Sequence, residues 1–233
     1  MIELGDRRLA LRDRALYLPD ADVLVLADLH VGRAEASAVS LPLGERADLR
    51  DRLVALVERF DPATVVFAGD VLHTFSEATA RARASLDALA AACRDRGASV
   101  VPVAGNHDTM LGEVWDGRVV DEHRLPDGTL VCHGHAEPDA EAPRYVVGHD
   151  HPAIEIEGQR HPCLLYGEGV YRAGDLFVLP AFSPLAAGAV VNGMCASDFD
   201  SPLVRRASAL RPAVEEGNET LVFPPLGELR RLL

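Results

Sequence analysis

The sequence predicts an α/β fold whose first half alternates parallel strands with covering helices and whose second half is mainly β. Three observations carry this reading. Strand-length apolar runs alternate with amphipathic helical stretches up to about residue 115. Each of those runs stops at a polar cluster, and beyond it the helical period gives way to short strands broken by turn dipeptides.

The elements follow in order. "DVLVLAD" (22–28) reads as a strand, and "LGERADLRDRLVALVERF" (43–60) sets Leu49, Leu53, Leu56, Val57 and Phe60 on one helical face. "ATVVFAGD" (63–70) is the second strand. "SEATARARASLDALAAACRDRG" (76–97) is an alanine-rich helix, with Ser76 as cap and Gly97 as stop. "ASVVPVAGNHD" (98–108) is the third strand, and this βαβαβ order implies right-handed crossovers between parallel strands.

Later strands are expected in "RVVDEHRL", "PDGTLVCHGH", "APRYVVGHDH", "PAIEIEGQ", "HPCLLYGEG" and "GDLFVLPAF", with turns at Asp127-Gly128 and Glu157-Gly158. "HAEPDAEAPR" (135–144) is the most loop-like piece, and "SDFDSPLVRRASALRPAVEEGNE" (197–219) shows no definite element. With 233 residues, 48% hydrophobic, and no repeat or long linker, one domain over 1–233 is expected.

All 23 basic residues are arginine, and 36 acids leave a formal charge of -13. A GC-rich genome is one source of this bias. A cytoplasm at molar salt is the other, and the expectation taken is a halophilic origin. Cys93, Cys132, Cys163 and Cys195 show no CxxC spacing, so reduced thiols and a cytoplasmic location are expected. No apolar run is long enough to span a membrane, and no targeting signal opens the sequence.

The polar residues fall where the strands end. Asp28 and His30 follow "VLVLA", Gly69 and Asp70 follow "TVVFA", and Gly105, Asn106 and His107 follow "VVPVA". The carboxyl ends of adjacent parallel strands form one crevice, so these groups are expected to converge. "TLVCHGH" adds His133 and His135, and "YVVGHDH" adds His149 and His151. Singly, each has a plain structural explanation: a capped turn, a surface histidine, or Asn106 as an N-cap for a helix from Asp108. Jointly, six of the nine histidines sit at strand ends, with His73, His123 and His161 outside the pattern. Aspartate, histidine and asparagine donors without clustered cysteine suit divalent manganese, iron, cobalt or zinc, and a dinuclear centre is the economical reading.

"ADLH", "AGDVLH", "AGNHD", "CHGH" and "GHDH", in this order, resemble the five motifs of the calcineurin-like metallophosphoesterase superfamily. "LPLGERADLRDRLVALVERFDPATVVFAGDVLH" and "LLYGEGVY...LFVLPAFSPLAAG" are similar to an archaeal branch related to DNA-repair nucleases and to DNA-ligase-associated phosphoesterases. The resemblance implies a four-layer αββα sandwich with two mixed β-sheets. It implies one metal held by Asp28, His30, Asp70 and His151 and another by Asp70, Asn106, His133 and His149. Asp70 then bridges, which suits cations about 3.5 to 4 Å apart.

Two divalent ions, manganese first, would activate a water for in-line attack on phosphorus, with His107 as general acid. His135 competes with His133 as ligand, or contacts phosphate; His73 and Arg33 are further substrate-contact candidates. The resemblance also implies that the "SPLAAGAVVNG" loop (183–193) lies near the site, where its backbone would offer N–H donors. The expected function is a phosphodiesterase or nuclease acting on DNA or RNA. A phosphomonoesterase or small-nucleotide hydrolase is the alternative, and a scaffold without catalysis ranks third. No zinc finger, helix-turn-helix or basic stripe is visible, and "LVRRASALRP" is a local arginine concentration. Sequence-specific recognition is therefore not expected; the metals, high salt or a helicase-like partner would bring a strand to the site, with a repair helicase or ligase as the candidate partners, and the oligomeric state is left open.

Overall fold

The computed structural model describes residues 2–4, 7–33, 45–73, 79–217 and 219–229. A first sheet has six strands in sequence order: β1 (Ile2–Leu4), β2 (Arg7–Arg12), β3 (Ala15–Leu18), β4 (Val23–Leu26), β5 (Thr64–Ala68) and β6 (Ser99–Val103). β1 to β4 pair antiparallel, whereas β4, β5 and β6 are parallel. The βαβαβ unit is thus as expected, but the three strands before it were not foreseen. Their signal is weak because the β2–β3 turn uses Asp13 and Arg14, both at positive φ (45° and 65°), where a glycine would have marked a hairpin.

Helix α1 (Glu45–Phe60) and helix α2 (Ala80–Arg94) cross between the parallel strands. α1 buries Leu49, Leu53, Leu56 and Val57, one turn-spaced stripe, against the sheet. α2 starts later than expected: Thr79 is its cap, its side chain accepting from the Ala82 N–H at 3.0 Å, and Ser76 lies outside the described residues. Gly97 at φ 86° ends the turn after α2, as its position suggested. Pro102 has no N–H to give a ladder, and β6 is accordingly the edge strand of its sheet.

The second sheet has nine strands: β7 (Glu122–Arg124), β8 (Leu130–Cys132), β9 (Arg144–Val147), β10 (Pro152–Ile156), β11 (Gln159–Tyr171), β12 (Gly174–Val178), β13 (Ala189–Val190), β14 (Arg211–Glu216) and β15 (Glu219–Val222). The main path runs β13-β10-β11-β12-β9-β8-β7, with β14 on β11 and β15 on β14. β8, β9 and β12 are parallel neighbours, so this sheet is also mixed. Helix α3 (Leu111–Val114) links the two halves.

Strand period sorts the core into layers. In β4, Leu24 and Leu26 face the helices, whereas Val23 and Val25 join Val131, Val146, Leu164 and Phe177 between the sheets. The outer face of the second sheet is covered by Leu203, Val204, Leu210, Leu226 and Leu229. This is the α/β sandwich of two mixed sheets. Its fourth layer is thin, made of two 3₁₀ turns and helix α4 (Leu226–Leu229), which explains why residues 197–210 carry no helical period. Among the described residues no helix is long and apolar enough to cross a membrane.

Candidate metal centre

The ligand candidates leave the carboxyl ends of β4, β5, β6, β8 and β9 and meet where the two sheets face each other. The backbone there is unusual. Asp28 (φ 57°), His30 (47°), Asp70 (47°), His149 (71°) and His151 (45°) are all left-handed. Such conformations cost about 1–3 kcal/mol each and persist where the surroundings over-determine them. Aspartate and histidine are among the side chains that tolerate this region, so the same residues meet the conformational and the chemical demand.

Two groups of donor atoms form, each with its atoms within 4.8 Å of one another: Asp28, His30 and His151, and Asp28, Asp70 and His133. In the first, His151 Nε2 lies 3.2 Å from Asp28 Oδ1 and 3.3 Å from His30 Nε2. Around His133 Nε2 stand Asn106 Oδ1 at 3.1 Å, His149 Nδ1 at 3.2 Å and Asp70 Oδ1 at 3.4 Å. His133 Nδ1 faces the Ala68 carbonyl at 3.3 Å, a contact that leaves Nε2 free to ligate. Asp28 is common to both groups, whereas Asp70 sits with Asp28 and His133.

Close approach explains two glycines. A Cβ on Gly69 would stand 2.3 Å from His133 Nδ1, and one on Gly105 would stand 2.2 Å from Asp70 Oδ1. Both motifs need glycine there to let the ligands in.

The family model for calcineurin-like phosphoesterases matches residues 21–154, a span that holds all of these strand ends. The chain belongs to the calcineurin-like phosphoesterase family. Membership implies a hydrolase of phosphoesters that uses divalent metal ions. Among solved structures, the nuclease MPE of Pseudomonas putida is similar over 91% of this chain and 94% of its own, at 28% identity and a TM-score of 0.66. Yfce, a phosphoesterase from E. coli, is similar over 89% of this chain and 94% of its own, at 15% identity and a TM-score of 0.43. A comparison with curated proteins gives no match.

The donor set of this phosphoesterase fits divalent cations electrostatically. Burial drives His30 down to about 3 and His133 to about 4, so both imidazoles are neutral, as a ligand must be. Burial also pushes Asp70 up to about 7, with the charges of Asp28 and Asp108 adding to the rise. Burial alone would raise Asp28, but the hydrogen bond and charge of His151 outweigh it and hold the carboxyl low. His151 is correspondingly raised: burial opposes this, and the partner Asp28 prevails. Carboxylates crowded out of water in this way are what a bound cation relieves.

The remaining candidates fall around this core. His107 donates its main-chain N–H to Asp70 Oδ1 at 2.9 Å, and its Nε2 is 3.8 Å from Asp70 Oδ2. His73, outside the strand-end pattern, is brought in: its ring lies 6.0 Å from that of His107, stacked, and 5.3 Å from that of His30. Arg33 is half-buried; burial lowers His30, His73 and His107, and the Arg33 charge adds to that fall and opposes the rise of His151. His135 is exposed beside His133, ring centroids 5.3 Å apart, and lines a cleft of ≈ 550 Å³ that also borders Gly105, His133 and the exposed Arg118. Asn106 caps no helix, since α3 begins only after Met110.

Sequence reasoning missed the residues that hold the loops. Asp108 is buried and accepts from the N–H groups of Val71 (3.1 Å), Leu72 (2.8 Å) and Gly105 (2.9 Å), clamping the Asp70 loop to the Asn106 loop. Asp150 accepts from the Asp200 and Ser201 N–H groups at 2.8 and 3.3 Å and fixes the turn between His149 and His151. Both sit inside the quoted motifs "AGNHD" and "GHDH", so the signal was present. The 183–193 loop does lie against the site: Ser183 N–H donates to the Asp28 carbonyl at 3.2 Å, and Ala189 N–H to the His151 carbonyl at 2.9 Å.

Proposed function

We propose that the chain is a dinuclear phosphodiesterase acting on nucleic acid. The observation that carries this reading is the convergence on one point, His133 Nε2, of Asn106, His149 and Asp70 donors, beside the Asp28–His30–His151 group. Asp28, His30 and His151 would hold one ion and Asn106, His133 and His149 the other, with Asp70 reaching both. Two divalent cations there, manganese first, supply Lewis-acid stabilisation of the phosphoryl oxygens and acidify an attacking water. The similarity to a protein described as a nuclease favours a nucleic-acid substrate.

The chain's own residues do the rest. Neutral His30 and His133 keep their lone pairs available, and the His133–Ala68 contact fixes the ring. His107, held by its main chain to Asp70, is the proposed proton donor to the departing ester oxygen; burial lowers its ring below the ordinary value, so its share of proton-carrying rings falls as pH rises. Arg33 and Arg118 offer cationic contacts for non-bridging and flanking phosphates. The test is digestion of single-stranded DNA, duplex DNA and RNA by the manganese-loaded chain at molar salt, with Asp70→Asn as control. Cleavage by the parent and none by the variant is expected; no cleavage of any strand by a fully metallated parent would overturn the assignment.

A further inference from the structure

We propose, on the dinuclear reading above, that Arg14 and Arg52 are positioning residues for the ion held by Asp28, His30 and His151. They act through the strap formed by residues 181–183. On its inner side the strap is paired with the strand end that carries Asp28. Ala181 and Ala27 form a parallel bridge, Phe182 N–H donates to the Ala27 carbonyl at 2.8 Å, and Ser183 N–H donates to the Asp28 carbonyl at 3.2 Å. On its other side three successive carbonyls accept from the two arginines. Arg14 Nη1 donates to Ala181 O at 3.4 Å and to Ser183 O at 3.0 Å, and Arg52 Nη1 donates to Phe182 O at 2.9 Å.

Both arginines come from elements that otherwise take no part in the site. Arg14 is in the β2–β3 turn and Arg52 in α1. They are tied together, since Arg52 Nε donates to Asp13 Oδ2 at 2.8 Å and Nη2 to Asp13 O at 3.2 Å. The Arg52 guanidinium also lies 4.3 Å over the ring of Phe182, which is fully buried. A planar fork can serve a carboxylate, a carbonyl and an aromatic face at once; a lysine ammonium cannot.

The geometry of Asp28 explains why such a hold matters. Asp28 sits at φ 57°, with its N–H donating to the Gly69 carbonyl at 3.0 Å and its own carbonyl taken by Ser183. A left-handed aspartate keeps its orientation only while both sides are held. The strap's continuation reaches the second ligand of the same ion, through Ala189 N–H on the His151 carbonyl. Asn106 and His133, by contrast, ride on β6 and β8, which the strap does not touch in this way. Asp28 also stands in the second donor group, but there it is the strap's sole point of hold, so loosening the strap should weaken the Asp28–His30–His151 ion more than the other.

The experiment is a calorimetric titration of manganese into the chelated full chain, for the parent, Arg14→Gln, Arg14→Lys and Arg52→Lys, with thermal melts in parallel. The expected result is that Arg14→Gln and Arg52→Lys weaken one of two ions about tenfold and leave the other within about twofold, as loss of supporting contacts does at metal sites. Arg14→Lys, which keeps a donor for the strap, should recover part of the loss, and turnover at saturating manganese should return toward the parent's. Isotherms that superimpose on the parent's, or two ions weakened alike with a lowered melting temperature, would overturn the positioning role. If Arg14→Gln does not fold, the same split or its absence in Arg52→Lys decides. A parent that takes up fewer than two ions would instead overturn the dinuclear reading, a result distinct from unchanged isotherms.

Discussion

The carboxylate of Asp28 lies 3.2 Å from Nε2 of His151 and, at 3.1 Å, also accepts the main-chain N–H of His149. One buried aspartate from the first sheet thus orders the His149–His151 turn of the second, and the candidate metal centre is also the seam between the sheets. Metal binding and sheet docking should be coupled for this reason.

Asp70→Asn tests the residue proposed to reach both ions. An amide loses the charge that two cations would share, so paired uptake should fail and turnover should drop at least about 100-fold. Metal content by elemental analysis, read beside turnover, checks it. Two tightly held ions in an active variant would contradict the bridging role.

Proton competition gives a pH dependence with a definite sign. In the metal-free site Asp70 titrates near 7 and His151 above its ordinary value, so both hold protons at mildly acidic pH, whereas His30 and His133 are neutral down to about 3 and 4. Manganese must displace those protons, so affinity should fall as pH drops through 7 and level off above it. Calorimetry in buffers of different protonation enthalpy should count about one to two protons released at pH 6 and fewer at pH 8. No release at pH 6 would contradict the assignment.

Asp108→Asn removes the charge that three N–H groups share and turns an amide donor toward at least one of them. The cost should be about 1–3 kcal/mol, read as a lower denaturant midpoint, together with weaker metal binding. An unchanged midpoint would show that the clamp is dispensable.

The convergence of the ligand candidates was legible because strand ends carry polar residues only for a reason, and because aspartate, asparagine and histidine fall there in fixed order. Asp28, His30, Asp70, Asn106, His133, His149 and His151 come together from five strand ends. What was not legible is long-range support. Nothing near Arg14 or Arg52 announces contacts to carbonyls more than a hundred residues away. The β2–β3 hairpin hid behind a glycine-free turn, and His73 enters the site only because its loop folds back, its N–H donating to the Val31 carbonyl at 3.0 Å.

The surface charge of -13, with arginine as the only strong base, makes a separate claim about salt. Screening shortens to about 3 Å at 1 M, so self-repulsion fades and the melting temperature should rise toward molar KCl. A flat or falling melting temperature would count against a halophilic origin.

His107→Ala should retain its metals and lose roughly 100-fold or more in turnover with a poor leaving group, and much less with an activated one. An equal loss with both would remove His107 from proton transfer.

The most direct test is turnover per active site, with manganese, on bis(4-nitrophenyl) phosphate and on 4-nitrophenyl phosphate. A monoester is close to a dianion at neutral pH and asks for cationic side chains beside the metals, where Arg33 is the arginine whose charge reaches the histidine cluster. A diester carries one charge, which two bound cations neutralise without further help. Faster turnover of the diester is the expected result; a clear preference for the monoester would contradict the phosphodiesterase assignment.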